Sequence, residues 1–143
     1  MTQSPNYALG RAIRARATAA SELWANRVFR MQAPAKSERP YVVYIFSSAL
    51  KPQNTPTSDA EFLITIKCVA PDAATSEAGA ARISELFDDL GQNRAETLDV
   101  SPDWTLIHSQ LQRYISIVEN VDNGATQIYQ DGGIFRFLLE RTI

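Results

Sequence analysis

The sequence predicts an α+β fold, in which a mainly antiparallel or mixed β-sheet carries two helices packed on one face. Three observations lead to this class. Two segments have helical periodicity, several short segments are rich in β-branched and aromatic residues, and the last third contains two glycine-bearing hairpin signals. The chain has 143 residues, which suits one domain that buries its own core.

Two segments repeat apolar residues at spacings of three and four. The first covers residues 7–24, and Ser4-Pro5 before it is a typical helix start. The second covers residues 73–90, and Gly91 follows as the natural stop. We therefore expect two amphipathic helices.

Three strands are expected in the first half of the chain. Residues 26–31 form a short candidate. Residues 41–46 are six β-branched or aromatic residues in a row, which favours a strand covered on both faces. Residues 61–70 alternate, with the apolar set Phe62, Ile64, Ile66 and Cys68 on one face.

A polar loop of about nine residues, 51–59, joins the last two of these strands. Its prolines and small polar residues exclude a regular element. Such a loop on a rigid strand pair is either a contact surface or a tolerated surface excursion. As a contact surface it contributes five interface candidates: Lys51, Gln53, Asn54, Thr55 and Asp59.

Residues 104–121 fit a helix by spacing and a strand by residue type. The strand is favoured because two hairpin signals follow, Asp122-Asn123-Gly124 and Asp131-Gly132-Gly133. With residues 125–130 as a middle strand and 134–140 as the last, the prediction is a three-stranded meander.

The sequence shows no recognisable catalytic equipment. It has no glycine-rich phosphate loop, no GxSxG elbow and no HExxH motif. One cysteine, Cys68, and one histidine, His108, are too few for a zinc site, and a Cys–His nucleophilic pair lacks supporting residues. We expect no enzyme activity and no cofactor. We also expect no signal peptide and no membrane span, and hence a cytoplasmic origin.

Charge is distributed unevenly along the chain. Residues 1–40 hold seven basic and two acidic residues (+5), and residues 41–143 hold seven basic and fourteen acidic residues (−7). Opposite patches on one subunit would favour head-to-tail contacts between copies, unless folding interleaves them. The further interface candidates are the basic residues Arg11, Arg14 and Arg16 of the first helix and Arg82, Glu85, Asp88 and Asp89 of the second.

The order of elements resembles the tail completion, or tail terminator, proteins of phages and prophages. The resemblance covers nearly the whole chain, as a single domain 1–143. It rests on the helix at 7–24, the short Val28-Phe29 strand, the run Arg39-Pro40-Tyr41-Val42-Val43, the long polar loop, the strand and helix that follow, and the segment 127–137. The extended region 104–121 departs from the pattern.

This resemblance implies a structural role in the virion. Members of the family form a homo-oligomeric ring, commonly hexameric, at the head-proximal end of the tail tube, where they stop tube growth and meet the head–tail connector protein. The implied partners are other copies, the tail tube protein and the connector, with no membrane, no specific nucleic acid and no cofactor. The implied location is the host bacterial cytoplasm during assembly and then the virion tail. We expect the 51–59 loop to order on assembly.

Two alternatives remain at this point. One is another neck protein of the same particle. The other is a ligand-binding or enzymatic α+β domain with a polar pocket around His108 and Tyr114.

Overall fold

The computed structural model describes residues 4–20, 23–50, 59–91, 94–121 and 123–142. Two helices and five strands follow one another along the chain. They are α1 (Pro5–Ala19), β1 (Val28–Arg30), β2 (Tyr41–Leu50), β3 (Asp59–Ala70), α2 (Ala73–Phe87), β4 (Trp104–Val121) and β5 (Thr126–Arg141).

The five strands form one mixed sheet in the order β1-β2-β3-β5-β4. The short strand β1 is parallel to β2, and the other three pairings are antiparallel. This arrangement confirms the α+β class. It also places β4 at one end of the sheet and β1 at the other.

The core lies between the sheet and the helices. Alternate residues of β3 and β5 are buried against α2, and α1 contributes its own buried stripe to the same cluster. The Phe87 ring of α2 meets the rings of Phe135 and Phe137 edge-on, with centroids 6.2 and 6.4 Å apart. Aromatic pairs in this geometry stabilise a core beyond their buried area.

Both helices begin at their predicted start signals and end earlier; α1 begins at Pro5, two residues before the predicted first residue Tyr7, and α2 begins at Ala73 as predicted. Ser4 caps α1 by accepting a hydrogen bond from the Tyr7 amide (3.4 Å), and Asp72 caps α2 through the Thr75 amide (2.8 Å). The predicted end of the first helix at Trp24 is wrong, because α1 stops at Ala19. Trp24 is nevertheless fully buried, and its indole donates to the Ala17 carbonyl (2.9 Å).

The second helix was predicted to reach Leu90 and stops at Phe87. Asp88 takes an extended conformation, with φ −81° and ψ 138°, and this ends the helix. Leu90 is still fully buried, because the segment after the helix runs back against β4. The apolar spacing therefore predicted the burial of Leu90 correctly, but it placed the end of the second helix three residues too late. None of the helices in the described ranges is long and apolar enough to span a bilayer.

The C-terminal third contains two long strands, and the predicted three-stranded meander is wrong. The region 104–121 is a strand, as favoured, and the first hairpin signal is a turn in which Asn123 and Gly124 have positive φ (56° and 85°). The second signal, Asp131-Gly132-Gly133, lies inside the single strand β5.

Tertiary contacts explain these glycines. A Cβ on Gly132 would collide with the Ile66 carbonyl of β3, and a Cβ on Gly133 would collide with the Leu111 side chain of β4. Asp131 accepts a hydrogen bond from the buried Ser76 hydroxyl of α2. The three residues therefore let neighbouring elements approach closely. The same residue types also occur in tight turns.

Candidate functional site

Among the described residues, the outer edge of β4 is an unusual surface. This strand has 18 residues and, in the described part of the chain, is hydrogen-bonded as a strand to β5 alone. Over residues 112–120 every side chain is exposed except the half-buried Ile115. Large apolar groups are among them: Tyr114 is 72% exposed, Val118 54% and Ile117 43%. A long edge strand with apolar side chains is a template for strand addition.

The N-terminal half of β4 is covered. The Ser109 amide donates to the Leu90 carbonyl (3.1 Å), and the Leu90 amide donates to the Ser109 hydroxyl (3.0 Å). The Leu111 amide donates to the Asp88 carboxylate (2.8 Å). The segment after α2 therefore occupies the strand edge as far as Leu111. We call the uncovered stretch, residues 112–120, the open edge.

The opposite end of the sheet is closed by a side chain. The guanidinium of Arg14 on α1 donates to the Val28 carbonyl of β1 at 3.0 Å. Strand β1 has only three residues, and α1 packs beside it. The two ends of the sheet thus differ: a helix and an arginine protect one, and the other is long and open.

A second surface feature is an open groove of about 690 Å³ between α1, the C-terminal half of α2 and the 94–99 segment. Arg16 spans it, donating to the Leu86 carbonyl (2.5 Å) and to the Glu96 carboxylate (2.6 Å). Arg94 also pairs with Glu96 (3.0 Å). The hydrogen bonds from Arg16 and Arg94 hold the pKa of Glu96 below its usual value. Hydrogen bonds and ion pairs across the groove therefore hold α1, α2 and the 94–99 segment together.

The predicted interface residues fall in several places. Arg16, Arg82 and Glu85 come together in this groove, where Arg82 and Glu85 form an ion pair at 2.8 Å. Arg11 donates to the Ser101 carbonyl (2.6 Å). Asp89 lies 3.8 Å from His108 across the α2–β4 junction, beside Asp88, and Asp59 lies opposite Glu140 at the start of β3. Lys51, Gln53, Asn54 and Thr55 lie outside the described residues.

These positions show that part of the charge asymmetry is internal. Arg14 and Arg16 bond to backbone carbonyls, and Arg16 also pairs with an acidic residue of the other charge block. Folding therefore interleaves some of the opposite charges. The role of the named residues in subunit contacts stays a prediction.

The polar residues of the described chain do not assemble into a recognisable catalytic or metal centre. No group of three histidine, cysteine, aspartate or glutamate side chains within the described ranges is placed to hold a metal ion. Cys68 is fully buried beneath α2, and burial raises its thiol pKa to about 12, so it is a neutral thiol near neutral pH. His108 lies on a different strand, beside Asp89.

Sequence reasoning did not single out Ile117 and Val118 as contact residues, and it named Tyr114 only in the alternative of a polar pocket around His108 and Tyr114. The sequence signal was available: residues 114–118 are apolar on both faces of the strand, apart from Ser116, and charged residues flank them. In an antiparallel sheet, an outer face is normally polar. An edge strand that breaks this rule is a candidate for contact with a partner.

No protein-family model matches the sequence. No curated protein matches it either. Among solved structures, the fold is similar to that of a chain in the virion of a native gene transfer agent particle, with a TM-score of 0.72 and 19% sequence identity. The similarity covers 97% of this chain and 99% of that chain. At this level of identity it is the fold that the two chains share.

Proposed function

We propose that this chain is a structural protein of a phage-like virion. The observation that carries the proposal is the fold similarity to a gene transfer agent virion chain, which spans almost the full length of both chains. A domain inserted into an unrelated protein would leave part of one chain unmatched.

Within the virion, we propose the role of a tail terminator. The chain would form a ring, commonly of six copies, on the head-proximal end of the tail tube, stop the polymerisation of the tube and join it to the head connector. The order of elements supports this role through its resemblance to tail completion proteins. A ring also needs two dissimilar subunit surfaces. The charged groove at α1 and α2 is a candidate for one of them.

The decisive experiment is inactivation of the coding gene in a bacterium that produces the particle, followed by electron microscopy. If the chain terminates the tail, tubes of unregulated length without attached heads accumulate, and supplying the intact gene restores normal particles. The purified chain should also bind to one end of isolated tail tubes and prevent their further growth.

Other results separate the alternatives. Tails of normal length beside unattached heads would assign the chain to another neck position. Normal, infectious or gene-transferring particles without the chain would refute a virion role. A small-ligand function would then be tested by looking for a ligand that raises the thermal stability of the purified protein.

A further inference from the structure

We infer that the open edge is a self-recognition surface, to which a second copy of this chain adds its own open edge. The two β4 strands run antiparallel in a register centred on Ser116. This inference stands apart from the proposed function, since the pairing depends on β4 alone. It rests on the boundaries of the open edge, on its sequence pattern and on its exposure.

The boundaries of the open edge define where a partner strand fits. On the N-terminal side, the segment after α2 occupies the strand edge up to Leu111. On the C-terminal side, the chain leaves the sheet at the turn 123–125. The open edge between them has Ser116 at its midpoint. In an antiparallel pair centred there, the last covered residue, Leu111, faces Val121 at the end of the other copy's strand. None of the described residues that cover β4 therefore faces the other copy's open edge.

The sequence of the open edge is self-complementary about the same residue. Reading outward from Ser116, each position on one side matches its counterpart on the other. The facing pairs are Ile115 with Ile117, Tyr114 with Val118, Arg113 with Glu119, and Gln112 with Asn120. Apolar residues thus meet apolar residues, opposite charges meet each other, and amides meet amides.

Each of these pairs forms twice in the dimer because of the two-fold axis. Cross-strand pairs of opposite charge and of aromatic with β-branched residues are the stabilising pairs of antiparallel sheets. The two residues of each facing pair are an even number of positions apart along the chain. Their backbone N–H and C=O groups therefore have the same orientation relative to the strand edge. Outward-pointing N–H and C=O groups of one copy meet outward-pointing N–H and C=O groups of the other. A register displaced by two residues would lose both ion pairs.

The exposure of the segment gives the physical reason for pairing. Tyr114 and Val118 are each more than half exposed in the single chain. A second strand would place apolar side chains beside them and would supply hydrogen-bond partners along the open edge. The pairing would join two five-stranded sheets into one continuous sheet.

Charge reversal gives the first test. The wild-type chain is measured by light scattering during size exclusion over a range of concentrations, and a dimer is expected. Arg113→Glu alone places two glutamates opposite each other twice, and Glu119→Arg does the same with two arginines. Each variant should dimerise at least about tenfold more weakly. An equimolar mixture of the two variants should restore the dimer, because each chain then faces only opposite charges. Lys36→Glu, an exposed reversal in the 31–40 connector, is the control and should leave the dimer unchanged.

Disulfide trapping tests the register. In a pair centred on residue 116, Ser116→Cys faces its own copy at a Cα separation of about 4.5–5.5 Å, which a disulfide spans. This variant should form covalent dimers under mild oxidation. Asn120→Cys should not cross-link to itself, because the two copies lie about 27 Å apart along the strand. It should cross-link to Gln112→Cys in a mixture. The native Cys68 is fully buried and does not compete.

Several results would overturn the inference. They are a wild-type chain that stays monomeric up to about millimolar concentration, a dimer that survives both charge reversals, and Asn120→Cys chains that cross-link to themselves. A ring whose mass is unaffected by the reversals would also overturn it while leaving the proposed function intact. Conversely, a confirmed dimer in a chain whose loss does not alter tails would refute only the proposed function.

Discussion

Replacing Ser109 with alanine tests the junction that fixes the start of the open edge. Ser109 is fully buried, and its hydroxyl makes two hydrogen bonds. It donates to the Phe87 carbonyl at the end of α2 (2.5 Å) and accepts from the Leu90 amide (3.0 Å). The alanine variant loses both bonds and leaves the Leu90 amide buried without that acceptor.

The size of the effect follows from these two bonds. A typical hydrogen bond contributes about 1 kcal/mol net, and a buried donor left without a partner costs about 1–3 kcal/mol. We therefore expect Ser109→Ala to lower the free energy of unfolding by about 2–4 kcal/mol. At roughly 3–4 °C per kcal/mol for a chain of this size, the melting temperature should fall by about 6–16 °C.

Urea unfolding and thermal unfolding, both followed by circular dichroism, measure this change. Ser116→Ala is the matched control, because it makes the same chemical change on the same strand at a position that is exposed in the single chain. Since Ser116 lies at the centre of the proposed pair, the proteins are compared at concentrations at which they are monomeric. It should stay within about 0.5 kcal/mol of the wild type. If Ser109→Ala were equally silent, the two hydrogen bonds would not hold the end of α2 to β4, and the account of the junction would be refuted.

Three further predictions concern other parts of the chain. Gly132→Ala should destabilise the protein by about 1–3 kcal/mol or more, because the new methyl group meets the Ile66 carbonyl. Urea unfolding measures this change, and an unchanged unfolding midpoint would contradict the close approach of β3 and β5. Since the Glu96 pKa is lowered in the folded state, its ion pairs contribute stability at neutral pH that is lost as pH falls below the ordinary value of 4.5 and through the folded pKa. Glu96→Gln should therefore reduce the drop in stability between pH 7 and pH 3, and parallel pH profiles of the two proteins would refute this. Burial raises the pKa of the Cys68 thiol to about 12. Cys68 should therefore react with a disulfide reagent at pH 8 only after the protein is unfolded in guanidinium. Rapid labelling of the native protein would contradict the burial of this thiol.

The sequence predicted the elements better than it predicted their partners. The fold class, the capped starts of both helices and the strand at 104–121 follow from local signals, namely caps, periodicity and residue type. These signals act within a few residues, so a single sequence contains them. The parallel pairing of β1 with β2 does not arise from local chemistry, and three residues give no pattern from which to predict it.

The errors have a common physical origin. Asp131-Gly132-Gly133 has the composition of a tight turn, yet its glycines make room for β3 and β4 and its aspartate accepts a hydrogen bond from α2. Trp24 has the spacing of a helix residue, yet it is buried from a turn. In both cases the residues are required by a tertiary contact, but the same residue pattern is also typical of a local structure, a turn in one case and a helix in the other.

The candidate contact surfaces were harder to predict from the sequence than the fold. Arg14 and Arg16 look like a solvated basic face in the sequence, and only the folded chain shows that they donate to carbonyls of distant segments. The position of β4 at the end of the sheet depends on the strand order, which no residue of β4 encodes by itself.

The bond between Arg14 and the Val28 carbonyl has a consequence for stoichiometry. A sheet with two exposed edges can accept a strand on each side, and its copies can then add without limit into fibres. Here the β1 end is blocked, so strand addition uses one edge of each subunit and is complete when two copies have met. A second open edge would require displacing both Arg14 and α1 from the three-residue β1, so the pair does not become the repeating unit of a filament.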